Sequence, residues 1–196
     1  MHINDARPLH RRALALAGSV IDKVTPPDLG KSTPCADWDL DALLAHMIGQ
    51  NHGFAAAVRG PGDAPLSAFD SRPPGSQPST RWQASADDVA DAFVKADLDR
   101  PVLLAELSAE QRFPTALVIG FQLLDTVVHG WDVATALALP FDPEPDLVAA
   151  TLRVAEAVPT GAYRERPGAT FAPVLPTADG AGDWHRALAL LGRRPS

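Results

Sequence analysis

Apolar residues recur at helical spacing along most of the chain. In the first apolar stretch, Leu9, Ala13, Leu16, Val20 and Val24 follow one another at intervals of three or four residues, which is the period of one helix face. The same pattern predicts an all-α protein. The predicted helices span residues 8–24, 39–59, 85–99, 115–139, about 143–158, with Pro143 in the first turn, and 184–191.

Local signals predict where several of these helices begin and end. Asp39 is a suitable N-cap for the second helix, and Gly60 is a suitable end for it. Ser85 stands three residues before Asp88, an acidic variant of the capping box, and predicts the start of the third helix. Gly192 is predicted to end the last helix.

The spacing of the helices predicts one bundle rather than several domains. Residues 60–84 are rich in Gly, Pro and Ser and are predicted to form a long crossover loop within that bundle. Residues 101–114 are ambiguous, with room for a short extended piece. We therefore expect a four-helix bundle over residues 1–140 and a helical C-terminal extension over residues 141–196, packed on the same domain.

Composition narrows the class of protein. The chain has 196 residues, 46% of them apolar, and a formal net charge of −7, which weighs against a nucleic-acid partner. Neither a membrane-length apolar run nor a signal-peptide pattern is visible. The single cysteine, Cys35, excludes an internal disulfide. We therefore expect a cytoplasmic protein.

The most informative feature is polarity inside an apolar helix. Asp125, His129 and Asp132 interrupt the fourth helix at spacings of four and three, so they share one face. His46 interrupts the apolar second helix in the same way. Two ligands from one helix and one from a facing helix would leave a fourth position of a metal open. Imidazole and carboxylate together suit Zn²⁺, Ni²⁺, Co²⁺ or Fe²⁺.

Each of these residues also has a structural interpretation. Asp125 and His129 would form a buried ion pair without any metal, and His46 would then be a hydrogen-bonded core histidine. Asp132 could replace Asp125 as a ligand, accept a hydrogen bond that orients His129 or His46, or bond Trp131 or the backbone. We favour the orienting or structural role for Asp132.

The remaining polar residues give weaker signals. His52 lies about 120° around the second helix from His46 and is expected to be structural or exposed. Cys35 is expected to be a small residue at the core edge, with a reactive thiol as the alternative. Three further histidines are expected on the surface: His2, His10 and His185. Four arginines are either binders of an anionic substrate or exposed charges: Arg59, Arg72, Arg81 and Arg112.

Three parts of the chain carry recognisable signatures. The first comprises TPCADW at 33–38 and LLAH at 43–46, the second is VHGWDVA at 128–134, and the third is the ending ALALLGR at 187–193. Together they resemble the mycothiol-dependent maleylpyruvate isomerase family of the DinB/YfiT-like superfamily of metal-binding helical bundles. The ending is similar to that of an actinobacterial subfamily.

This resemblance implies a DinB-like four-helix bundle with a divalent metal on His46, Asp125 and His129. Zinc is the expected metal, with nickel as the alternative. The family commonly has Glu where this chain has Asp125, which is one methylene shorter. The resemblance also implies mycothiol as cosubstrate: the metal would deprotonate its thiol, and the thiolate would attack an electrophilic carbon. The protein would then be a mycothiol-dependent isomerase or thiol transferase.

Two other functions are compatible with the same residues. One is a non-catalytic binding or stress-response protein with a weak or empty metal site, which the shorter side chain of Asp125 favours. The other is a metal-dependent hydrolase on the same scaffold, which needs no thiol. For the enzyme we expect a small-molecule thiol and an electrophilic substrate as partners, and neither a nucleic acid nor a membrane. We expect the protein to be a monomer or a homodimer.

Overall fold

The computed structural model describes residues 5–35, 38–60, 62–165 and 170–194. The described residues are mainly helical, which confirms the all-α prediction. The helices are α1 (Arg7–Ile21), α2 (Leu40–Arg59), α3 (Pro78–Lys95), α4 (Thr115–Ala136), α5 (Pro145–Ala157) and α6 (Asp183–Leu190).

The first four helices form the predicted four-helix bundle. α1 packs against α3 and α4, and α2 packs against the same two helices, so α1 and α2 lie diagonally across the bundle. Large apolar side chains fill the space between them, including Trp82, Phe93, Leu43, Leu44, Ile119 and Leu123. Burying such side chains supplies most of the free energy that holds a bundle together.

The ends of α2 follow the predicted signals. The side chain of Asp39 accepts a hydrogen bond of 2.9 Å from the backbone N–H of Ala42, which satisfies one of the free donors at the helix start. At the other end, Gly60 is the C-cap residue, and its N–H donates to the carbonyl of Ala56.

The start predicted for α3 is wrong by seven residues. The helix begins at Pro78, whose fixed φ suits the first turn of a helix. Ser85 is therefore inside the helix, buried, and its hydroxyl donates to the carbonyl of Trp82 at 2.7 Å. The crossover loop accordingly ends at residue 77 instead of 84.

The crossover is ordered by close packing on α2. It contains a short 3-10 helix, Leu66–Phe69, and the ring of Phe69 is buried against Gly53. A Cβ on Gly53 would lie 2.2 Å from Cδ1 of Phe69, so only glycine allows this approach. Further along, the N–H of Arg72 donates to the carbonyl of Ala45 at 2.9 Å.

The ambiguous segment before α4 is a small hairpin. β1 (Pro101–Leu103) pairs antiparallel with β2 (Arg112–Pro114), and Val102 stands opposite Phe113. Just before the hairpin, Arg100 donates to the carbonyl of Gly60 at 2.9 Å and accepts from the N–H of Thr115. Arg100 thus ties the end of α2 to the start of α4.

A chain of buried neutral side chains crosses the bundle, and we call it the polar chain: His10, Gln122, Asn51 and Ser85. Nε2 of His10 bonds Oε1 of Gln122. Gln122 donates to Asn51 at 2.7 Å, and Asn51 donates to Ser85 at 2.9 Å. The polar chain therefore links all four helices. The prediction that His10 lies on the surface is wrong, because His10 is 1% exposed.

The chain divides into two compact units, Met1–Phe141 and Asp142–Ser196. In the second unit α5 packs on α6, and α5 begins at Pro145 rather than near Pro143. Arg164 is buried there and donates to the carbonyls of Pro159 and Leu190. The predicted packing of this extension on the bundle stays a prediction.

Candidate metal centre

Helices α2 and α4 bring three predicted ligands together: His46, Asp125 and His129. Nε2 of His129 lies 3.3 Å from Oδ1 of Asp125, and Nε2 of His46 lies 3.7 Å from the same oxygen. One ligand atom from each residue lies within 4.8 Å of the other two. The spacing of four along α4 places Asp125 and His129 on adjacent turns, and α2 supplies His46 from the neighbouring helix.

The three side chains form a charged group in the absence of a metal. Burial alone raises the pKa of Asp125, but the positive charge of His129, with a smaller contribution from His46, holds it well below its usual range. Burial alone lowers the pKa of His129, but Asp125 and then Asp132 outweigh burial and raise it to about 9. Without a metal, the group is therefore an ion pair with a second histidine beside it.

Asp132 holds the other nitrogen of His129. Oδ2 of Asp132 lies 2.9 Å from Nδ1 of His129, and Asp132 is fully buried. A carboxylate at this position accepts a hydrogen bond from the Nδ1–H of His129. Nε2 is then the nitrogen that faces Asp125, and it can bind a metal once it has lost its proton. This is the contact expected for the orienting role predicted for Asp132.

The loop before α2 closes one side of the site. Its backbone is held by the hydroxyl of Thr33, which donates to the carbonyl of Trp38 at 2.9 Å. The ring of Trp38 lies 4.7 Å from the ring of His46 and 6.1 Å from that of His129. Cys35 is partly buried, and its Sγ forms a second close group with one ligand atom each of His129 and Asp132.

Sequence reasoning did not identify two residues on another side of the site, Gln50 and Glu106. Gln50 is 5% exposed and follows His46 by one helical turn. Its Nε2 donates to Oε1 of Glu106 at 2.9 Å. The position of Gln50 on the His46 face was a usable signal, because a buried amide in an apolar helix needs a partner. Glu106 comes from a loop that carries no comparable signal.

The other predicted polar residues lie away from the three ligands or have different partners. His52 contacts Asp88 at 2.9 Å, and Arg59 contacts the same carboxylate at 2.5 Å, so His52 is structural, as expected. Arg112 pairs with Asp63 at 3.2 Å. His185 is exposed, as expected. Arg72 and Arg81 are exposed as well, which is compatible with both alternatives left open for the arginines. His2 lies outside the described residues, as do Ala36 and Asp37 of the first signature.

The donor set fits a divalent metal. Two imidazole nitrogens and one carboxylate oxygen from rigid helices are typical of three-ligand zinc sites, in which a fourth position stays open. Asp132 supplies the outer contact that such histidines usually have. No Lys or Arg among the described residues forms an ion pair with Asp125, so its ionic partners in the described chain are the two histidines.

Comparison with known families shows the family of the chain. The family model described as mycothiol maleylpyruvate isomerase N-terminal domain matches residues 10–134, a range that includes the three candidate ligands. The chain belongs to this family. This confirms the resemblance seen in the sequence signatures.

Two relatives from Mycobacterium tuberculosis, strains CDC 1551 / Oshkosh and ATCC 25618 / H37Rv, are each 27% identical over 189 residues, covering 94% of this chain and 95% of theirs. Both are named as uncharacterized proteins.

Solved structures support the same fold. A crystal structure of the mycothiol-dependent maleylpyruvate isomerase is 13% identical, with a TM-score of 0.60 over 84% of this chain and 72% of the isomerase. A histidine-to-alanine mutant of an isomerase of that name is 12% identical, with a TM-score of 0.62 over 80% of this chain and 69% of the mutant. At this identity the likeness shows the fold, and it confirms the DinB-like bundle. None of the helices in the described ranges is long and apolar enough to cross a membrane.

Proposed function

We propose that the protein is a divalent-metal enzyme that uses the thiol of mycothiol as a nucleophile on an electrophilic substrate. The reaction is either an isomerisation of that substrate or a transfer of the thiol to it. Zinc is the proposed metal, with nickel as the alternative, and His46, Asp125 and His129 are its proposed ligands. The observation that supports this most is the meeting of these three ligand atoms within 4.8 Å, inside a domain of the mycothiol maleylpyruvate isomerase family.

The shorter carboxylate does not separate the ligands. Asp125 replaces the longer Glu that is common in the family, yet its Oδ1 lies within 3.7 Å of both histidine nitrogens. This removes the main sequence argument for an empty site and favours a metal enzyme over a non-catalytic relative.

The chain's own residues prepare the site for a thiol. A bound divalent metal supplies the Lewis acidity that lowers the pKa of a thiol toward neutrality. Asp132 keeps the Nδ1 proton of His129 and so preserves its Nε2 as a ligand. The indole of Trp38 covers the ring of His46 and excludes water from that side of the site.

The first experiment tests metal and thiol dependence together. The protein is purified without a His-tag or chelator, its metal is quantified, and the cis–trans isomerisation of maleylpyruvate is followed with and without mycothiol. His46→Ala is the test variant. His52→Ala is the matched control, because His52 lies on the same helix and pairs with Asp88 instead.

We expect near-stoichiometric metal and mycothiol-dependent turnover in the wild type and in His52→Ala, with both lost in His46→Ala. Turnover of other electrophiles that still requires mycothiol would identify a thiol transferase. Metal-dependent hydrolysis without any thiol would support the hydrolase alternative instead. Absence of metal after dialysis against excess Zn²⁺ would overturn the proposal and favour a non-catalytic bundle.

A further inference from the structure

A buried amide on α2 holds a carboxylate beside the candidate site. Gln50 lies one turn beyond His46 on the same helix face, is 5% exposed, and donates to Glu106 at 2.9 Å. A buried amide that bonds a carboxylate is costly to leave without its partner. The hydrogen bond from Gln50 therefore fixes the position of the Glu106 carboxylate.

The loop that carries Glu106 is itself ordered. Leu104 anchors it in the core with 1% exposure, and the backbone N–H groups of Leu107 and Ser108 both donate to the carbonyl of Leu104. The hydroxyl of Ser108 then accepts from the N–H of Gln111 at 2.9 Å. Glu106 is thus presented from a compact turn between β1 and β2.

Glu106 interacts electrostatically with the ligands of the site. The pKa of Glu106 is raised above its usual value. Burial and the nearby charge of Asp125 raise it, and they outweigh the hydrogen bond from Gln50 and the interaction with His46, which lower it. Among the described residues, no Lys or Arg pairs with Glu106 or contributes to this shift. Asp88, by contrast, is neutralised by Arg59 at 2.5 Å.

Glu106 belongs to the wall of the site and not to its ligand set. Neither of the two close groups of candidate ligands within the described ranges includes it. Histidines bind a metal in their neutral form and so add no charge to the site. The two positive charges of the metal are then set against three negative charges, those of Asp125, Asp132 and Glu106. The region beside the metal therefore keeps a negative potential.

We infer that Glu106 determines specificity at the proposed active site by disfavouring ligands with a carboxylate on the Gln50 side and favouring neutral or cationic ones. This inference rests on the proposed function. It defines the class of electrophile: the natural substrate presents a neutral or positively charged group to Glu106. A dicarboxylate such as maleylpyruvate is then still turned over, but less efficiently than an uncharged electrophile of similar reactivity.

The test measures binding of small thiols of different charge to the Co²⁺-loaded protein. Cysteamine carries an ammonium group, 2-mercaptoethanol is neutral, and 3-mercaptopropionate carries a carboxylate. Their dissociation constants are read from sulfur-to-cobalt absorption in the wild type, Glu106→Gln and Glu110→Gln. Glu110 lies in the same loop and is exposed, as Glu106 is, but it is Glu106 that Gln50 bonds. Glu110→Gln therefore makes the same change in net charge without removing the carboxylate that Gln50 holds.

Comparing each thiol between proteins cancels the intrinsic differences among the thiols. We expect Glu106→Gln to raise the dissociation constant of cysteamine and to lower that of 3-mercaptopropionate, by about three-fold each. The dissociation constant of 2-mercaptoethanol should not change, and Glu110→Gln should bind all three thiols like the wild type. Equal shifts in both variants, or no shift in either, would overturn the inference while leaving the proposed function intact. If no thiol alters the cobalt spectrum of the wild type, the proposed function fails and this inference fails with it.

Discussion

Two groups of polar side chains lie among the helices of the bundle, and they differ in charge. The polar chain holds His10 against the amide of Gln122, and burial outweighs that hydrogen bond and lowers the pKa of His10 to about 4. In the candidate metal centre, carboxylates overcome burial and raise the pKa of His129 to about 9. A histidine buried among amides stays neutral, whereas one buried between carboxylates holds a positive charge that a metal can replace.

The largest expected effect is on metal binding when a ligand is removed. His129→Ala deletes one ligand and leaves Asp125 without its closest partner, so we expect metal affinity to fall by more than about 100-fold. Equilibrium dialysis against Zn²⁺ measures this. His10→Ala is the control from the polar chain, and its folded form is expected to bind metal like the wild type. Stoichiometric metal in His129→Ala would contradict the assignment of the site.

The next effect is on stability, and it concerns the polar chain. Gln122→Leu removes one hydrogen bond from each of His10, Asn51 and Thr126. Since each buried polar group left unpaired costs about 1–3 kcal/mol, we expect the free energy of unfolding to fall by about 3 kcal/mol or more. Urea denaturation of the metal-free protein measures this change.

Gln83→Leu is the matched control for that experiment, because Gln83 bonds Asp87 on the exposed side of α3. Its unfolding free energy is expected to stay within about 0.5 kcal/mol of the wild type. Equal losses in the two variants would show that the polar chain does not contribute to stability as proposed here.

A smaller effect is expected at the outer contact of the metal centre. Asp132→Asn keeps the size of the side chain but removes its charge, so it holds the Nδ1 proton of His129 less firmly. We expect metal affinity to fall by about 10- to 100-fold without loss of the fold. The same dialysis experiment measures the affinity, and circular dichroism checks the fold. An unchanged affinity would mean that Asp132 has only a structural role.

The pH dependence of the metal-free protein separates the two histidines. The pKa of His10 is lowered from 6.5 to about 4. Between these two pH values the imidazole is protonated in unfolded chains but not in the folded protein. Stability therefore falls by about 3 kcal/mol as the pH drops from 6.5 to 4. The pKa of His129 is raised to about 9, so its stabilising contribution is complete below pH 6.5 and is lost as the pH rises to 9.

Titration of the imidazole signals by NMR measures both values directly. We expect His10 to remain neutral down to about pH 4 and His129 to remain charged up to about pH 9 in the metal-free protein, with the titration of His129 abolished by zinc. Two ordinary histidine titrations near 6.5 would contradict the contrast between the two regions.

The sequence revealed the charged group and missed the neutral one, for a physical reason. Asp125 and His129 stand four residues apart in an apolar helix, and an ionisable pair in such a place needs an explanation. His10 lies in the first turn of an amphipathic helix, where burial depends on the packing of α4 and leaves no local mark. Glu106 is fixed by contacts between distant parts of the chain, which a single sequence does not reveal.

The helices were predicted well where periodicity decides and less well where a terminus depends on competing signals. Pro78 and Ser85 both mark acceptable starts for α3, and burial of Trp82 on the bundle favours the earlier one. The same competition between Pro143 and Pro145 misplaced the start of α5 by two residues.

X-ray absorption at the zinc edge of the reconstituted protein, without added thiol, tests the assignment of the metal ligands. We expect two imidazole nitrogens at about 2.0–2.1 Å and oxygen as the remaining donor atoms, with no sulfur. The spectrum should be unchanged in Cys35→Ser. Scattering from sulfur at about 2.3 Å that disappears in Cys35→Ser would show that this ligand assignment is wrong. It would place the metal on the neighbouring group of Cys35, His129 and Asp132 instead of on His46, Asp125 and His129.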